Sequence, residues 1–376
     1  MARILYSMSG EGRGHATRVR AVVEMLRRDH DVTLLAPCAA REMLSAAYAG
    51  TAVRVERIPG LGFGYGGRGQ VSVPATAAVA AAYLAGLPRL VRRLERMIVE
   101  LQIDVAISDF EPALPRAARR RRVPFISLDH QHFLLTSDFR ALPAGLRRHA
   151  ALMGLVVRAY HRGAALTVVS SFYSPPLRPG LANVVQVGVL LRPEVLAARI
   201  EPGSHLVAYL RRAAPDTLLD VLASSGREVR VYGLGERPAR GSLRFRAISE
   251  AGFIDDLARA EALLTTAGNQ LVGEALHLGK PVFAMPETGN HEQAINAHYL
   301  VGSGWGAAAP LERTSATQLR EFLGRLDAYR ERIASSRFDG GPATLAALRR
   351  HLVERAPAER ALRGAHVPLQ QLPSPS

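Results

Sequence analysis

The stretch Leu263 to Leu300, LLTTAGNQLVGEALHLGKPVFAMPETGNHEQAINAHYL, decides how the rest of the chain is read. It opens on an apolar strand-like run that ends at Ala267 and Gly268, and a helical pattern begins near Asn269. A second apolar run, PVFAMP, follows, and HEQAINA starts another helix after it. Strand, glycine, helix, strand, helix is the order of a parallel sheet whose crossovers cover its faces. The glycine junction offers free backbone N–H groups and the positive end of a helix dipole, which suits an anion. Glu274 lies one to two turns into the first helix, placed to reach past a phosphate to a ribose diol. Glu292 and Gln293 sit at the next junction and combine acceptor and donor groups suited to sugar hydroxyls.

Outward from this stretch the same alternation runs through the chain. RILYSM, DVTLLAP, VRVERI, DVAISDF, VPFISLD and ALTVVSS read as strands in the first half, and HLVAYL, EVRVYGL, EALLTTAG, KPVFAMP and WGAAAP in the second. Pro193, Pro202 and Gly203 punctuate the gap between them. The expected organisation is α/β: two tandem Rossmann-like units at 1–190 and 204–355, a linker at 191–203 and a flexible tail at 356–376, with ligands held in the cleft between the units. The chain has 376 residues, more than one ordinary core accommodates.

At the N-terminus, YSMSGEGRGHATR (Tyr6–Arg18) joins a strand to a helix through Gly10, Gly12 and Gly14. A dinucleotide fingerprint fails here, because the spacing is G-x-G-x-G and the second strand ends in Ala36 and Pro37 with no acid for a ribose. His15 therefore becomes the informative residue. At a helix N-terminus the dipole disfavours imidazolium, and a neutral imidazole accepts a proton near neutral pH. Its other readings are a helix cap or a phosphate contact. Asp109, at the carboxyl end of the fourth strand, lies on the same sheet edge and is a candidate partner for His15. Its alternative role, equally compatible with the sequence, is an N-cap of the helix after Pro112. Glu111 is the runner-up. Asp129, His130 and His132 end the fifth strand on that edge and suit a polar acceptor pocket better than a metal site.

The net charge is +15, nearly all from arginine, since Lys280 is the only lysine. Either a coding bias toward arginine or attraction to an anionic substrate or membrane surface accounts for it. Nucleic-acid binding is disfavoured, because RAARRRR (116–122) has no interleaved aromatics. The lone Cys38 excludes an intramolecular disulfide and fits a reducing compartment. MARILYSMSG reads as a strand and not a signal peptide, and the alanine-rich run at 71–88 as a soluble helix. The expectation is a cytoplasmic protein, with peripheral contact at the inner membrane face an option, as monomer or homodimer.

The stretch at 263–300 resembles the donor-binding signature of GT-B glycosyltransferases of family 1 and the MurG-like family 28. GNQLVGEAL is similar to their SGALTVSE region, and HEQAINA to their RQQxxNA and DQxxNA endings. The resemblance implies that Gly268, Asn269 and Gln270 take the donor diphosphate, that Glu274 takes the ribose, and that Glu292 and Gln293 take the sugar. GFIDDL resembles the loop that meets the base through backbone groups, which implies Phe253 and Ile254. GEGRGHATR is like the glycine–histidine loop of these enzymes, and His15 with Asp109 resembles their His–Asp dyad. Thr266 stands where plant-type signatures have histidine. Gly14 and Arg211 are further donor-side candidates. Arg13, Phe63 and Tyr65 join Glu111, Asp129, His130 and His132 on the acceptor side.

The implied function is inverting, metal-independent transfer from a nucleoside-diphosphate sugar, UDP-linked by the MurG-like likeness, to a hydroxyl, with no cofactor. A nucleotide-sugar 2-epimerase of the same fold and a non-catalytic sugar-nucleotide-binding protein are the alternatives.

Overall fold

The computed structural model describes residues 1–9, 12–60, 62, 73–160, 163–210 and 214–352, with the side chains of 12, 13, 73, 159 and 160 excluded. Arg211, Phe63, Tyr65, the Arg13 side chain and the tail at 356–376 lie outside the described residues.

The first unit begins with β1 (Arg3–Met8), α1 (Gly12–Leu26), β2 (Asp31–Ala36), α2 (Cys38–Ala47) and β3 (Arg54–Arg57). It continues through α3 (Val73–Glu100), β4 (Val105–Asp109), α4 (Ala113–Arg120), β5 (Phe125–Asp129) and α5 (Phe133–Thr136). α6 (Ala144–Tyr160), β6 (Leu166–Ser170) and β7 (Val184–Val187) complete its sheet. α7 (Pro193–Leu196) lies in the connection.

The second unit runs β8 (His205–Tyr209), α8 (Asp216–Ala223), β9 (Glu228–Tyr232), β10 (Leu243–Arg246), α9 (Glu250–Arg259) and β11 (Ala262–Thr265). After these come α10 (Asn269–His277), β12 (Val282–Ala284), α11 (His291–Gly302) and β13 (Gly306–Ala308). α12 (Ala316–Leu323), α13 (Leu326–Ala334) and α14 (Gly341–Arg349) close the described chain.

The two sheets have orders β3-β2-β1-β4-β5-β6-β7 and β10-β9-β8-β11-β12-β13. Their strands pair in parallel, as the alternation of strand and helix requires. β4 and β5 are buried along their whole length, apolar at Val105–Ile107, Phe125, Ile126 and Leu128 and carrying buried Ser108, Asp109, Ser127 and Asp129 toward their carboxyl ends. Each fully buried Leu or Ile there contributes about 1.5–3 kcal/mol relative to exposure.

Strand order reverses between β1 and β4, and again between β8 and β11. Such switch points open a crevice at the carboxyl ends of the strands. The register Met8↔Asp109 sets the end of β4 beside the glycine loop, and Thr265↔Tyr209 sets up the matching edge in the second unit.

Three local readings differ from expectation. β7, at the edge of the first sheet, was not expected as a strand. Nor was β10. Its LRFR pattern alternates a buried leucine with exposed arginines at the sheet edge, where a run gains little from burial. GFIDDL is not a loop. It lies within α9, whose N-cap Ser249 accepts the Gly252 N–H, and the Phe253 N–H is bonded to the Ser249 carbonyl at 2.9 Å. Phe253 and Ile254 are core residues, with Phe253 edge-on to Tyr232 at 5.0 Å between ring centres.

The chain returns to the first unit at its end. Leu348 and Leu352 pack into the same core as Val22, Val187 and Leu190. The return is pinned by two backbone hydrogen bonds, Val189 N–H to Phe338 O at 2.7 Å and Gly340 N–H to Val189 O at 2.9 Å. Only glycine fits the crossing, because a Cβ on Gly340 lies 2.1 Å from the Gly188 carbonyl oxygen.

Candidate active site

His15 lies in the first turn of α1 and is 9% exposed. Its Nδ1 is 2.9 Å from Asp109 Oδ1. The register Met8↔Asp109 accounts for the pairing, because it places the end of β4 next to the strand that feeds α1. Asp109 is also gripped by Arg18, whose Nε–H reaches Oδ2 at 2.9 Å and whose Nη2–H reaches Oδ1 at 2.6 Å. Burial raises the carboxyl's proton affinity, yet Arg18 and then His15 outweigh it and hold Asp109 below the ordinary carboxylate value. Phe110, the next residue, has φ of 55°, a left-handed conformation that an aromatic side chain rarely adopts. The capping role falls to Glu111, which accepts from the Ala113 and Leu114 N–H groups at 2.7 and 2.9 Å and from Tyr83 Oη at 2.9 Å. Burial pushes its carboxyl up.

The facing junction is the N-terminus of α10. Ala267 takes a left-handed φ of 65°, and Gly268 is the N-cap residue. A Cβ on Gly268 would meet nothing within 4 Å, so space lies open in front of the free amides of the first turn. α1 and α10 approach nose to nose, with a Gly14 Cβ position 3.7 Å from Gln270 Cβ. Thr266 is buried at the end of β11.

The side chains beyond Gly268 are engaged between the units. Asn269 accepts from Ser171 Oγ at 3.2 Å and donates to the Ser170 carbonyl at 3.2 Å. Gln270 donates to the Leu190 carbonyl at 2.8 Å and to Glu274 at 3.1 Å. Glu274, only 1% exposed, is held by the Arg192 fork at 3.2 and 2.9 Å. Arg192 also reaches Glu250, Glu250 pairs with Arg20 at 2.6 Å, and Arg20 pairs with Glu194. This chain of ion pairs ties α1, α9 and α10 to the connecting segment. On α11, Gln293 is bonded to Glu287, while Glu292 is half-buried in the first turn.

The third cluster is at the end of β5. His132 Nδ1 lies 2.9 and 2.8 Å from the two Asp129 oxygens, and Asp129 accepts the His132 backbone N–H at 2.8 Å. His130 stacks on Phe133 at 4.5 Å with its Nδ1 3.1 Å from the Ser170 carbonyl. Burial lowers its proton affinity, against the field of Glu292 from the other unit. Among the described residues no group of three or more His, Cys, Asp or Glu side chains is placed to hold a metal ion.

A base–acid pair at one switch point, facing an open helix N-terminus at the other, is an arrangement for deprotonating one substrate beside an anion. Comparison with known proteins identifies the lineage. Residues 2–327 match the family profile described as Glycosyl transferase family 1. The chain belongs to that family.

This glycosyltransferase is 27% identical over 266 residues to the UDP-N-acetylglucosamine--N-acetylmuramyl-(pentapeptide) pyrophosphoryl-undecaprenol N-acetylglucosamine transferase of Methylobacterium sp. (strain 4-46), covering 59% of this chain and 69% of the relative. Its fold is GT-B. It resembles Phytolacca americana UGT2 complexed with UDP-2fluoro-glucose and pterostilbene, with a TM-score of 0.68, 14% identity and coverage of 94% and 100% of the two chains. It also resembles MurG of Acinetobacter baumannii, with a TM-score of 0.60, 12% identity and coverage of 93% and 100%.

Two arginines of the glycosyltransferase's site escaped the reading of the sequence. Arg18 is three residues after His15, on the same helix face, and that spacing was the available signal. Arg192 lies 82 residues from its partner Glu274, and nothing local announces the pair.

Proposed function

We propose that the enzyme is an inverting, metal-independent glycosyltransferase that moves a sugar from a nucleoside-diphosphate sugar to an acceptor hydroxyl. The observation that carries this reading is the His15–Asp109 contact at 2.9 Å, set opposite the open N-terminus of α10. His15 takes the acceptor proton, the oxygen attacks the anomeric carbon, and the nucleoside diphosphate leaves with the bonding electrons. The first-turn amides and dipole of α10 receive the leaving charge. A UDP-sugar of the N-acetylglucosamine type is the favoured donor, on the name of the Methylobacterium relative. The test is a thermal-shift survey of nucleoside diphosphates and their sugars. UDP and a UDP-sugar are expected to raise Tm in a concentration-dependent way. No response to any nucleoside diphosphate removes the donor assignment.

The partner reading extends to a surface. α6 has no acidic residue, and exposes Leu152 at 59%, Met153 at 40%, Leu155 at 61% and Val156 at 42%. Arg147, Arg148 and Arg158 lie at its two ends. An apolar face on a helix whose own charged residues are all arginine fits an anionic lipid surface, into whose headgroup region it inserts. The first half of α3, alanine-rich and largely exposed, adds apolar area to this unit. The protein is expected to cosediment with vesicles containing phosphatidylglycerol and to be released by salt. The pair Leu152→Asp with Leu155→Asp is expected to abolish that binding and leave transfer to a water-soluble acceptor unchanged. Equal sedimentation of the double variant sinks this assignment.

A further inference from the structure

The His15–Asp109 pair contains a third member that a base and its acid do not by themselves require. His15 Nδ1, Arg18 Nη2 and Asp109 Oδ1 form a near-equilateral triangle, with separations of 2.9, 2.6 and 2.9 Å. Arg18 Nε lies 2.9 Å from the other carboxylate oxygen, so Nε and Nη2 address Asp109 as a parallel fork. That fork commits one Nη2 hydrogen to Oδ1. Nη2 also lies within hydrogen-bonding distance of Nδ1, at 2.9 Å, so Nδ1 faces a cation as well as a carboxylate. A proton held only on Nε2 would leave the Nδ1 lone pair facing Oδ1. A neutral ring that carries its proton on Nδ1 donates it to Asp109, and its Nε2 keeps a lone pair.

Charge is the other half of the arrangement. A buried carboxylate at hydrogen-bonding distance favours imidazolium, and a buried guanidinium at the same distance opposes it. Among the described residues, few other charges bear on the ring. Tyr6 of β1 is a buried phenol held far above its ordinary value by burial, hence neutral. Asp129 at the end of β5 is paired with His132, and the buried His130 beside them is pushed toward its neutral form. Gln270 of α10, opposite Gly14, is uncharged.

We propose that Arg18 is a positioning residue of the transfer reaction, neutralising Asp109 so that His15 stays unprotonated and its Nε2 is available as base. This rests on the glycosyl-transfer reading. With Arg18 present, the three side chains begin neutral and become singly positive when Nε2 takes the acceptor proton. Without it, the unneutralised carboxylate favours imidazolium, and a smaller share of His15 offers a lone pair.

The test is a titration of the histidine ring nitrogens by NMR in the ligand-free protein. The His15 signal is identified by its loss in His15→Gln. In Arg18→Met the pH at which His15 takes up its proton is expected to rise by about one unit or more, as for an imidazole beside an unneutralised carboxylate. In Arg18→Lys, which keeps the cation, it is expected to stay near the wild-type value. The acid limb of turnover moves up with it in Arg18→Met. A His15 titration that does not move, or moves down, in folded Arg18→Met overturns the proposal, since a purely structural Arg18 lowers Tm and leaves the titration in place. Should Arg18→Met fail to fold, Asp109→Asn decides. There the cation faces the ring alone, protonation is expected at lower pH, and no change overturns the proposal. The titration needs no sugar transfer. A moving titration without transferase activity refutes the glycosyl-transfer reading alone, and a fixed titration in an active enzyme refutes the role of Arg18 alone.

Discussion

Replacing His15 with glutamine is expected to lower the turnover of sugar transfer by about 10²- to 10⁴-fold, the usual contribution of a positioned general base. Glutamine keeps a hydrogen-bonding side chain of similar reach but has no nitrogen that accepts a proton near neutral pH. The loss should fall on kcat. The amides of α10 belong to a different unit of the fold, so the Kd for a nucleoside diphosphate, measured by calorimetry, should change little. Turnover within a few-fold of wild type removes His15 from the base role. Loss of nucleotide binding along with turnover places His15 on the diphosphate instead, the other reading its helix-terminal position allows.

Arg192→Met is expected to destabilise the protein by about 3–5 kcal/mol, because it leaves a buried carboxylate without its cation. Glu274 is 1% exposed, and its remaining described partner is the Gln270 amide at 3.1 Å. The double variant Arg192→Met with Glu274→Gln should recover most of that loss, since no unpaired charge then remains inside. Urea or thermal denaturation of the two variants beside wild type checks both statements. A cost for Arg192→Met of no more than the ~1 kcal/mol typical of exposed pairs contradicts the burial of Glu274. The comparison also bears on donor recognition. A carboxylate needed by the connecting segment cannot at the same time be free for a ribose, so donor binding should weaken the Arg192 fork or leave the ribose to other groups.

Much of this architecture was legible in the sequence, for particular reasons. Strand and helix periods are local, so β1, β4, β8 and β11 stood out with the glycine junctions that follow β1 and β11. His15 and Asp109 were pairable before any coordinates because parallel strands at a switch point bring their carboxyl ends to one edge. What stayed hidden is non-local or counter to propensity. The left-handed Phe110 and Ala267 carry no glycine to betray them. Asn269 and Gln270 were read as facing a ligand, and their engagement with Ser170, Ser171 and Leu190 depends on how the two units meet. The helical state of GFIDDL turns on Ser249, a cap three residues before the segment begins.

The return of α14 to the first unit has a consequence for how the protein is made. Synthesis begins with β1, yet the wall that shelters Val22 and Leu190 is supplied by Leu348 and Leu352, among the last of the described residues to leave the ribosome. The unit translated first thus stays open along one seam while the second is completed and folds behind it. The two halves do not mature as independent beads on a string. The second half carries, at its far end, the piece that seals the first, and the Gly188–Gly340 crossing is where that late seam is buttoned.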